Sequence, residues 1–358
     1  MWNAEFGIFR IPNSKLHTLM NNFFSGKTCL VTGASGFIGR HVAKLLADEG
    51  AHVRVLVRPT SNTKFLDPLG VEKCLGNICD IPSLQKAMES VECLFHIAGL
   101  VAFGRNDIAE LRRANVQGVR NVLGLAQDLK VKRVILTSSV AAIGGSKDGD
   151  VRDETSAWET EAFHNAYAWS KHDGEMEAMK LYQEGLPLVI VNPSFVVGSP
   201  DEGPSIGGKF LLAYLQGKMK AYLTMGFNCV DVKDVAKGHL LAAAKGRLGE
   251  RYILSNENKT LIEYLRLLEK CSGVRAPHLH IPYPVAYGGA ALIEGIGRLL
   301  RQDFPINREQ VRNSRNDSFF SHEKATRELG YHPRPLEETF SEAVKWFREY
   351  YTPLTAAL

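Results

Sequence analysis

A phenol and an ammonium group four positions apart could together carry out proton transfer. The segment "YAWSK" sets Tyr167 and Lys171 at this spacing in a helical pattern, and residues i and i+4 share one face of a helix. A free tyrosine has a pKa of about 10, too high for proton exchange near neutrality, but an opposite charge within hydrogen-bonding range can lower a pKa by about 1 to 3. The pair therefore predicts a tyrosine that acts as general acid or base.

A pair of serines should lie near this tyrosine. The segment "KRVILTSS" has the apolar, β-branched composition of a buried strand and ends in Ser138 and Ser139. The carboxyl ends of parallel strands meet at one edge of a sheet, where ligands bind. A serine hydroxyl at that edge could hold a substrate oxygen while hydride moves to or from the attached carbon.

A glycine-rich loop follows the first predicted strand. The segment "TGASGFIG" places Gly33, Gly36 and Gly39 three residues apart and leads directly into a helix. Such glycines permit unusual backbone angles and let a pyrophosphate approach the main chain, while the helix N-terminus offers free N–H groups to the anion. Because the loop lies between a strand and a helix, it predicts a dinucleotide site rather than an ordinary tight turn.

The end of the second predicted strand indicates which dinucleotide binds. Proteins that prefer NAD usually offer an acid there to the ribose 2′-hydroxyl, whereas "VRVLVRPTSN" offers Arg58, and Arg40 directly follows the last glycine. Two arginines without an acid favour NADP(H), with NAD(H) as the alternative. Asp80 of "GNICD" is expected beside the adenine, and the small residues of "HIAG" would let the backbone approach the cofactor.

The elements that would position these groups alternate along the chain. Its 358 residues are 45% hydrophobic, enough for a large core. Six candidate strands alternate with helical periods, which predicts an α/β fold built on a doubly wound parallel Rossmann sheet. The strands are "KTCLVT", "HVRVLV", "VEKCLG", "ECLFHIAG", "KRVILTSS" and "PLVIVNP". After Pro193 a loop begins a mainly helical region with isolated strands, one of them "ERYILS".

We expect two domains after an N-terminal extension. Residues 1–25 would be a loosely docked extension, since they lack the pattern of a secretory signal. Residues 26–196, with 227–256 returning to them, would form the NADP-binding domain. Residues 197–226 and 257–358 would form a smaller, mainly helical substrate-binding domain.

Charge and composition argue against several classes of protein. The formal charge of +4 is spread without a basic run, so nucleic acid is not expected as a partner. The six cysteines lack a CxxC pair, which favours reduced thiols, no metal site and a cytoplasmic location. The apolar segment "IPYPVAYGGAALIEGIGRLL" is interrupted by Pro284, Glu294 and Arg298. No integral membrane segment is therefore expected, while contact of this segment with a membrane surface or a lipid substrate is left open.

The glycine loop, "TSS", the Tyr-Lys pair and "NPSFVVG" together resemble the extended short-chain dehydrogenase/reductase superfamily, or NAD-dependent epimerase/dehydratase family. Within it the chain most resembles the dihydroflavonol-reductase-like and hopanoid-associated sugar epimerase-like branch, akin to 3β-hydroxysteroid dehydrogenases. The similarity extends from about Lys27 to about Tyr350 and includes "RANVQGVRNV" and "ATRELGYHPRP". The resemblance implies an NAD(P)-dependent oxidoreductase with a small-molecule substrate and, by analogy, a homodimer.

The resemblance also implies roles for individual residues. Tyr167 would be the general acid/base, and Lys171 its modulator and a ribose ligand. Ser139 would be the donor on the oxyanion side, with Ser138 as the alternative, and Asn115 would help to order the active site. The residues expected at the cofactor are Gly33, Ser35, Gly36, Phe37, Ile38, Gly39, Arg40, Arg58, Asp80, Ile81, Ala98, Gly99, Tyr167, Lys171, Pro193 and Ser194.

Departures from the family pattern narrow the reaction. "TSSV" lacks the acid of sugar-nucleotide dehydratases, and Asn192 stands where many nucleotide-sugar epimerases have arginine. Clustered arginines for a diphosphate are also missing, and Lys209, Lys218 and Lys220 are the nearest cations. We therefore expect an NADPH-dependent, reversible reductase of a ketone or aldehyde on a mainly apolar molecule. The alternatives are a sugar epimerase or dehydratase with tightly bound NAD(P), and a non-catalytic NADP(H)-binding regulator.

Four polar side chains near these motifs are expected to have structural roles only. Asp231 and Asp234 of "VDVKDVA" should cap the helix that follows. For His164 and His172, on either side of Tyr167, solvated helix positions are favoured over contact with the substrate.

Overall fold

A parallel sheet of seven strands contains every strand predicted before Pro193. The computed structural model describes residues 23–102, 107–146, 149–158, 165–300 and 308–355, so His164 and most of the expected N-terminal extension lie outside it. The strands are β1 (Thr28–Thr32), β2 (His52–Val57), β3 (Glu72–Leu75), β4 (Cys93–His96), β5 (Arg133–Thr137), β6 (Leu188–Pro193) and β10 (Arg251–Leu254). Their spatial order is β3-β2-β1-β4-β5-β6-β10, which confirms the doubly wound fold.

The strand order reverses between β1 and β4. The chain passes from β1 to β2 and β3 on one side, then crosses to β4, which pairs with β1 in the register Thr32 to His96. In doubly wound sheets, ligands bind beside the carboxyl ends of the strands at such a reversal. The glycine loop follows β1 and the segment "IAG" follows β4, so both lie at this point.

Helices cover both faces of the sheet. The faces are filled by alternate strand residues, since neighbours such as Cys29 and Leu30 belong to different buried clusters. One face packs against α1 (Phe37–Asp48) and α7 (Val232–Lys245). The other face packs against α2 (Ile81–Met88), α4 (Gly118–Asp128) and α5 (Ala166–Gln183). A short helix, α3 (Ile108–Arg112), runs through a π-helical turn into α4.

A second, smaller layer contains more strand than the sequence predicted. β7 (Phe195–Val197), β9 (Gly226–Asp231) and β11 (Glu257–Thr260) form a three-stranded sheet, while β8 (Ala221–Tyr222) pairs with β12 (Leu279–His280). The longer helices of this layer are α6 (Ile206–Leu215), α8 (Leu261–Ser272), α9 (Tyr283–Leu300) and α12 (Leu336–Thr355), with α10 (Arg308–Asn313) and α11 (Glu323–Leu329) between the last two. A separate apolar core joins α6, α8 and α12.

Four smaller observations bear on the expectations. Phe24, assigned to a loosely docked extension, is fully buried against the sheet. Asp231 caps α7 as expected, whereas the Asp234 carboxylate accepts from the Arg334 backbone N–H at 2.9 Å. His172 stacks on the Trp158 ring with centroids 4.2 Å apart, so its ring is not simply solvated. Among the described helices, none is both long and apolar enough to cross a membrane.

Candidate active site

One cleft of about 1660 Å³ runs from the glycine loop across the carboxyl edge of the sheet to α9. It begins at the reversal in strand order and continues between the two layers. Most of the residues expected at the cofactor or in catalysis line it, and these are Gly33, Ser35, Gly36, Phe37, Ile38, Gly39, Arg58, Ala98, Gly99, Ser138, Ser139, Tyr167, Pro193 and Ser194.

The glycine loop is shaped by close backbone contacts. Gly33 has φ +75, and a Cβ at this position would lie 2.6 Å from the backbone nitrogen of Ala98. A Cβ at Gly39 would overlap the Gly33 carbonyl, so the first turn of α1 lies directly on the loop. Gly36, the N-cap of α1, provides no side-chain acceptor, which leaves the N–H groups of the first turn available to an anion.

Tyr167 and Ser139 meet at the centre of the cleft. Asn165 caps α5 by accepting from the Ala168 N–H at 2.7 Å, and this fixes Tyr167 in the first turn. The Tyr167 and Ser139 side chains share a hydrogen bond. Lys171 lies one turn further on and donates to the Thr137 carbonyl at 3.1 Å. The ammonium is therefore anchored to the end of β5, behind the phenol.

The charge states differ from the simple expectation of a lowered tyrosine pKa. Burial raises the pKa of Tyr167, and the hydrogen bond with Ser139 only partly offsets this. Burial also lowers the pKa of Lys171 to about 8, while the nearby Glu175 carboxylate acts in the opposite direction. The protein by itself thus keeps Tyr167 as a neutral phenol, which is the form that can donate a proton.

Asn115 lies in the π-helical turn and connects three parts of the site. Its side chain accepts from the Leu100 N–H at 2.8 Å and donates to the Leu100 carbonyl and to the Ser170 hydroxyl, each at 2.9 Å. A Cβ on Gly99 would lie 3.0 Å from the Asn115 oxygen and 3.2 Å from the Lys171 ammonium. The side chain therefore ties the loop after β4 to α5.

A buried polar chain behind Ser139 was missed by sequence reasoning. The Asn192 amide donates to the Ser139 carbonyl at 2.9 Å and to Glu175 at 3.0 Å. Glu175 is buried and also pairs with Arg251 of β10 at 3.1 Å. The only signal in the sequence was the position of Glu175, one turn beyond Lys171 on the same helix face, while its partners come from β6 and β10.

Arg40 does not lie in the cleft, in contrast to the expectation. The side chain is buried with its guanidinium over the Phe65 ring, 3.9 Å from the centroid, and 3.5 Å from the Glu202 carboxylate. The guanidinium thus lies against Phe65 and Glu202, and Arg40 is not among the residues that line the cleft. Arg58 is exposed and lines the cleft, so it is the arginine that could reach a 2′-phosphate.

Asp80 and Ile81, the residues expected near the adenine, do not line the cleft. Asp80 is exposed at the N-cap of α2 and Ile81 is exposed beside it. Instead, Asn77, Ile78 and Cys79 line the cleft directly after β3.

The far end of the cleft is apolar. Of the three lysines expected near the substrate, Lys209 lines the cleft, and Lys218 and Lys220 do not. The neighbouring wall consists of large apolar side chains and the inner face of α9, contributed by Phe195, Phe210, Met219, Leu223, Met225, Phe227, Ile281, Val285, Ala286, Ala290 and Ile293. Such a wall suits a hydrocarbon-rich molecule better than a diphosphate.

The residues at the glycine end fit a dinucleotide. Gly33, Gly36 and Gly39 line the cleft with backbone alone, so a pyrophosphate can lie close to the main chain and to the first turn of α1. Ser138 is buried, and its hydroxyl has no hydrogen-bond partner among the described residues. A buried hydroxyl without a partner is costly, and a bound ligand would satisfy it.

The fold and this cleft define an oxidoreductase that binds NAD(P), of the extended short-chain dehydrogenase/reductase type. The model of the NAD dependent epimerase/dehydratase family matches residues 29–255, and the chain belongs to that family.

Similar proteins are known in both sequence and structure. The "Sterol demethylase protein B" of Methylococcus capsulatus is 35% identical over 90% of this chain and 98% of its own. A Synechocystis sp. protein provisionally named dihydroflavonol 4-reductase is 34% identical over 92% of this chain and 98% of its own. The crystal structure of gox2253 superposes with a TM-score of 0.81 at 37% identity, and the match covers 91% of this chain and 99% of that one.

Proposed function

We propose that the protein is an NADPH-dependent reductase of a ketone or aldehyde on a mainly apolar molecule. The observation that carries this proposal is the place where Tyr167 and Ser139 meet, between the dinucleotide end of the cleft and its apolar end. Bound NADPH would supply the hydride. The names of two relatives, a sterol demethylase protein and a dihydroflavonol 4-reductase, also refer to polycyclic compounds rather than to sugars.

Each catalytic side chain has a defined task in this proposal. The Ser139 hydroxyl holds the carbonyl oxygen of the substrate, and Tyr167 gives its proton to that oxygen as the alcohol forms. Lys171 holds the ribose and its charge favours the phenolate that remains after proton transfer. Asn115 keeps the loop after β4 and α5 in register, and the Pro193-Ser194 backbone borders the nicotinamide.

In this proposal, the two domains bind at the two ends of the cleft. Residues 26–196, with the returning segment 227–256, would hold the cofactor, and the remaining residues after 196 would hold the substrate. The fit of β10 into the seven-stranded sheet supports the return, although β9 pairs in the smaller sheet. A preference for NADP(H) would rest on Arg58.

The direct test is NADPH oxidation by the purified protein with a panel of apolar ketones, steroid ketones, flavonoid ketones and nucleotide sugars. We expect steady NADPH consumption with an apolar carbonyl class, and slower turnover with NADH.

Arg58→Gln should lower kcat/KM for NADPH several-fold and leave kcat/KM for NADH unchanged. Cofactor that copurifies, without net consumption but with interconversion of sugar stereoisomers, would instead establish an epimerase. Binding without activity on any compound would indicate a regulator.

A further inference from the structure

The apolar end of the cleft opens beside an exposed apolar surface. Val285 of α9 lines the cleft and is also 64% exposed, so it lies at the opening. Leu292, two helical turns further on, is 67% exposed, and Leu279 of β12 is 60% exposed. Residues seven apart share one face of a helix. We call the surface formed by Leu279, Val285 and Leu292 the mouth face.

Cations lie on the segments beside Leu279 and at the start of α9. Lys218, Lys220 and Arg275 are exposed, and none of the three pairs with a carboxylate among the described residues. The pairing of Leu279 with Ala221 sets the segments that carry these cations side by side. The Arg315 guanidinium lies over the Tyr283 ring at the start of α9, 4.9 Å from the centroid.

Acidic residues are missing from the same segments. Residues 203–230 and 270–293 contain no Asp or Glu, although the chain as a whole carries 43 basic and 39 acidic residues. The first acid after them on α9, Glu294, pairs with Arg308 at 2.9 Å. These two segments therefore carry basic residues without acids of their own, and the acids that reach them, such as Glu337 beside Lys270 and Asp317 beside Gly226, come from other elements.

We propose that the mouth face docks on the surface of a bilayer that contains anionic phospholipid. Exposed aliphatic side chains enter the interface, tyrosines lie at the level of the headgroups, and lysines and arginines contact the phosphates. The cleft then opens toward the bilayer, and an apolar substrate enters without crossing water. This last step rests on the proposed reductase function, whereas the docking itself does not.

The test is sedimentation of the full chain with vesicles of phosphatidylcholine, alone or mixed with phosphatidylglycerol. We expect binding to the mixed vesicles, little binding to phosphatidylcholine, and release at high salt because exposed charges are screened. Each lysine near an anionic surface contributes about five-fold to partitioning. Lys218→Gln with Lys220→Gln should therefore lower binding by about 25-fold.

A second variant tests the apolar contribution. Leu279→Asp with Leu292→Asp should abolish vesicle binding and leave circular dichroism and NADPH binding unchanged. The matched control is Leu248→Asp, because Leu248 is also exposed but precedes β10 at the opposite, amino edge of the sheet. This control should bind vesicles like the unaltered protein.

Three results would overturn the inference. They are absence of binding to mixed vesicles, equal loss in the Leu248 control, or light scattering in which the Leu279 and Leu292 changes convert a dimer into monomers. The last would make the mouth face a contact between two copies of the chain. Docking needs no turnover, so normal NADPH oxidation without vesicle binding would reject the docking alone, and binding without oxidation would reject the reductase alone.

Discussion

At the scale of single residues, Tyr167 is distinguished from the other phenol that lines the cleft, Tyr222, by its hydrogen bond with Ser139. A phenylalanine keeps the ring and removes the proton, so Tyr167→Phe should retain NADPH binding and lose about 10² to 10⁴-fold in turnover, the usual contribution of a general acid. Fluorescence titration with NADPH and the rate of its oxidation measure the two effects.

The control for this change is on the same helix. Tyr182 lies near the end of α5, away from the cleft, and Tyr182→Phe should have nearly normal turnover. A Tyr167→Phe protein that turns over as fast as the unaltered one would eliminate Tyr167 as the proton donor.

Glu175 should set the alkaline limit of activity through Lys171. The Lys171 ammonium, with a pKa of about 8, is lost as the pH rises through that value. Since the Glu175 carboxylate raises the pKa of Lys171, Glu175→Gln should lower it further. We therefore expect activity to decline at a lower pH in the variant than in the unaltered protein. The measurement is kcat/KM as a function of pH.

A neighbouring acid provides the comparison. Glu177 is on the same helix but pairs at the surface with Arg120 and Lys180. Glu177→Gln should leave the alkaline limb in place. If the alkaline decline in kcat/KM occurred at the same pH in Glu175→Gln as in the unaltered protein, Glu175 would not act through Lys171. The same conclusion would follow if both variants moved this decline equally.

At the scale of secondary-structure elements, Gly33 joins β1 to α1 in a backbone conformation that alanine adopts poorly. With φ +75 and the Ala98 nitrogen 2.6 Å from any Cβ, Gly33→Ala should lower the free energy of unfolding by at least about 1 kcal/mol and weaken NADPH binding. Chemical denaturation and cofactor titration measure these effects.

Gly124 is the matched glycine. It lies within α4, and a Cβ there meets nothing within 4 Å. Gly124→Ala should therefore raise the free energy of unfolding by about 0.5 to 1 kcal/mol. If both substitutions changed the free energy of unfolding alike, the loop would not need a glycine at position 33 for its backbone conformation.

Elements with local signals were predictable, and those set by distant partners were not. Strand alternation, the glycine loop and the Tyr-Lys spacing each lie within a few residues, and the sheet contains every strand expected before Pro193. Arg40 was assigned to the cofactor because nothing near it shows that Glu202 and Phe65 hold it. The pairing of β9 with β7 and β11 likewise depends on contacts across the chain.

At the scale of the whole molecule, an ion pair joins the segment before α12 to the N-terminus of α7. Asp231 is fully buried at the N-terminus of α7 and pairs with Arg334, whose Nε lies 3.0 Å from the carboxylate. Asn keeps the capping oxygen and removes the charge, while Arg334 keeps Glu342 as a partner. Asp231→Asn should therefore lower the free energy of unfolding by about 1.5 to 3 kcal/mol, the contribution of a hydrogen bond to a charged group. Urea denaturation measures this change.

The contrast is a pair at the surface. Asp48 pairs with Lys44 at 2.7 Å on the exposed side of α1, and Asp48→Asn should change the free energy of unfolding by less than about 0.5 kcal/mol. Equal effects at the two sites would mean that burial of Asp231 adds nothing to its ion pair.

The position of β10 has a consequence for synthesis of the chain. β6 pairs with β10 through residues made about sixty positions later. While the ribosome extends the chain, β6 is therefore an open edge with free backbone groups, and such edges invite pairing with other chains. The nascent protein closes this edge only when residue 254 has left the exit tunnel. A ribosome that stalls before that point therefore exposes an aggregation-prone folding intermediate.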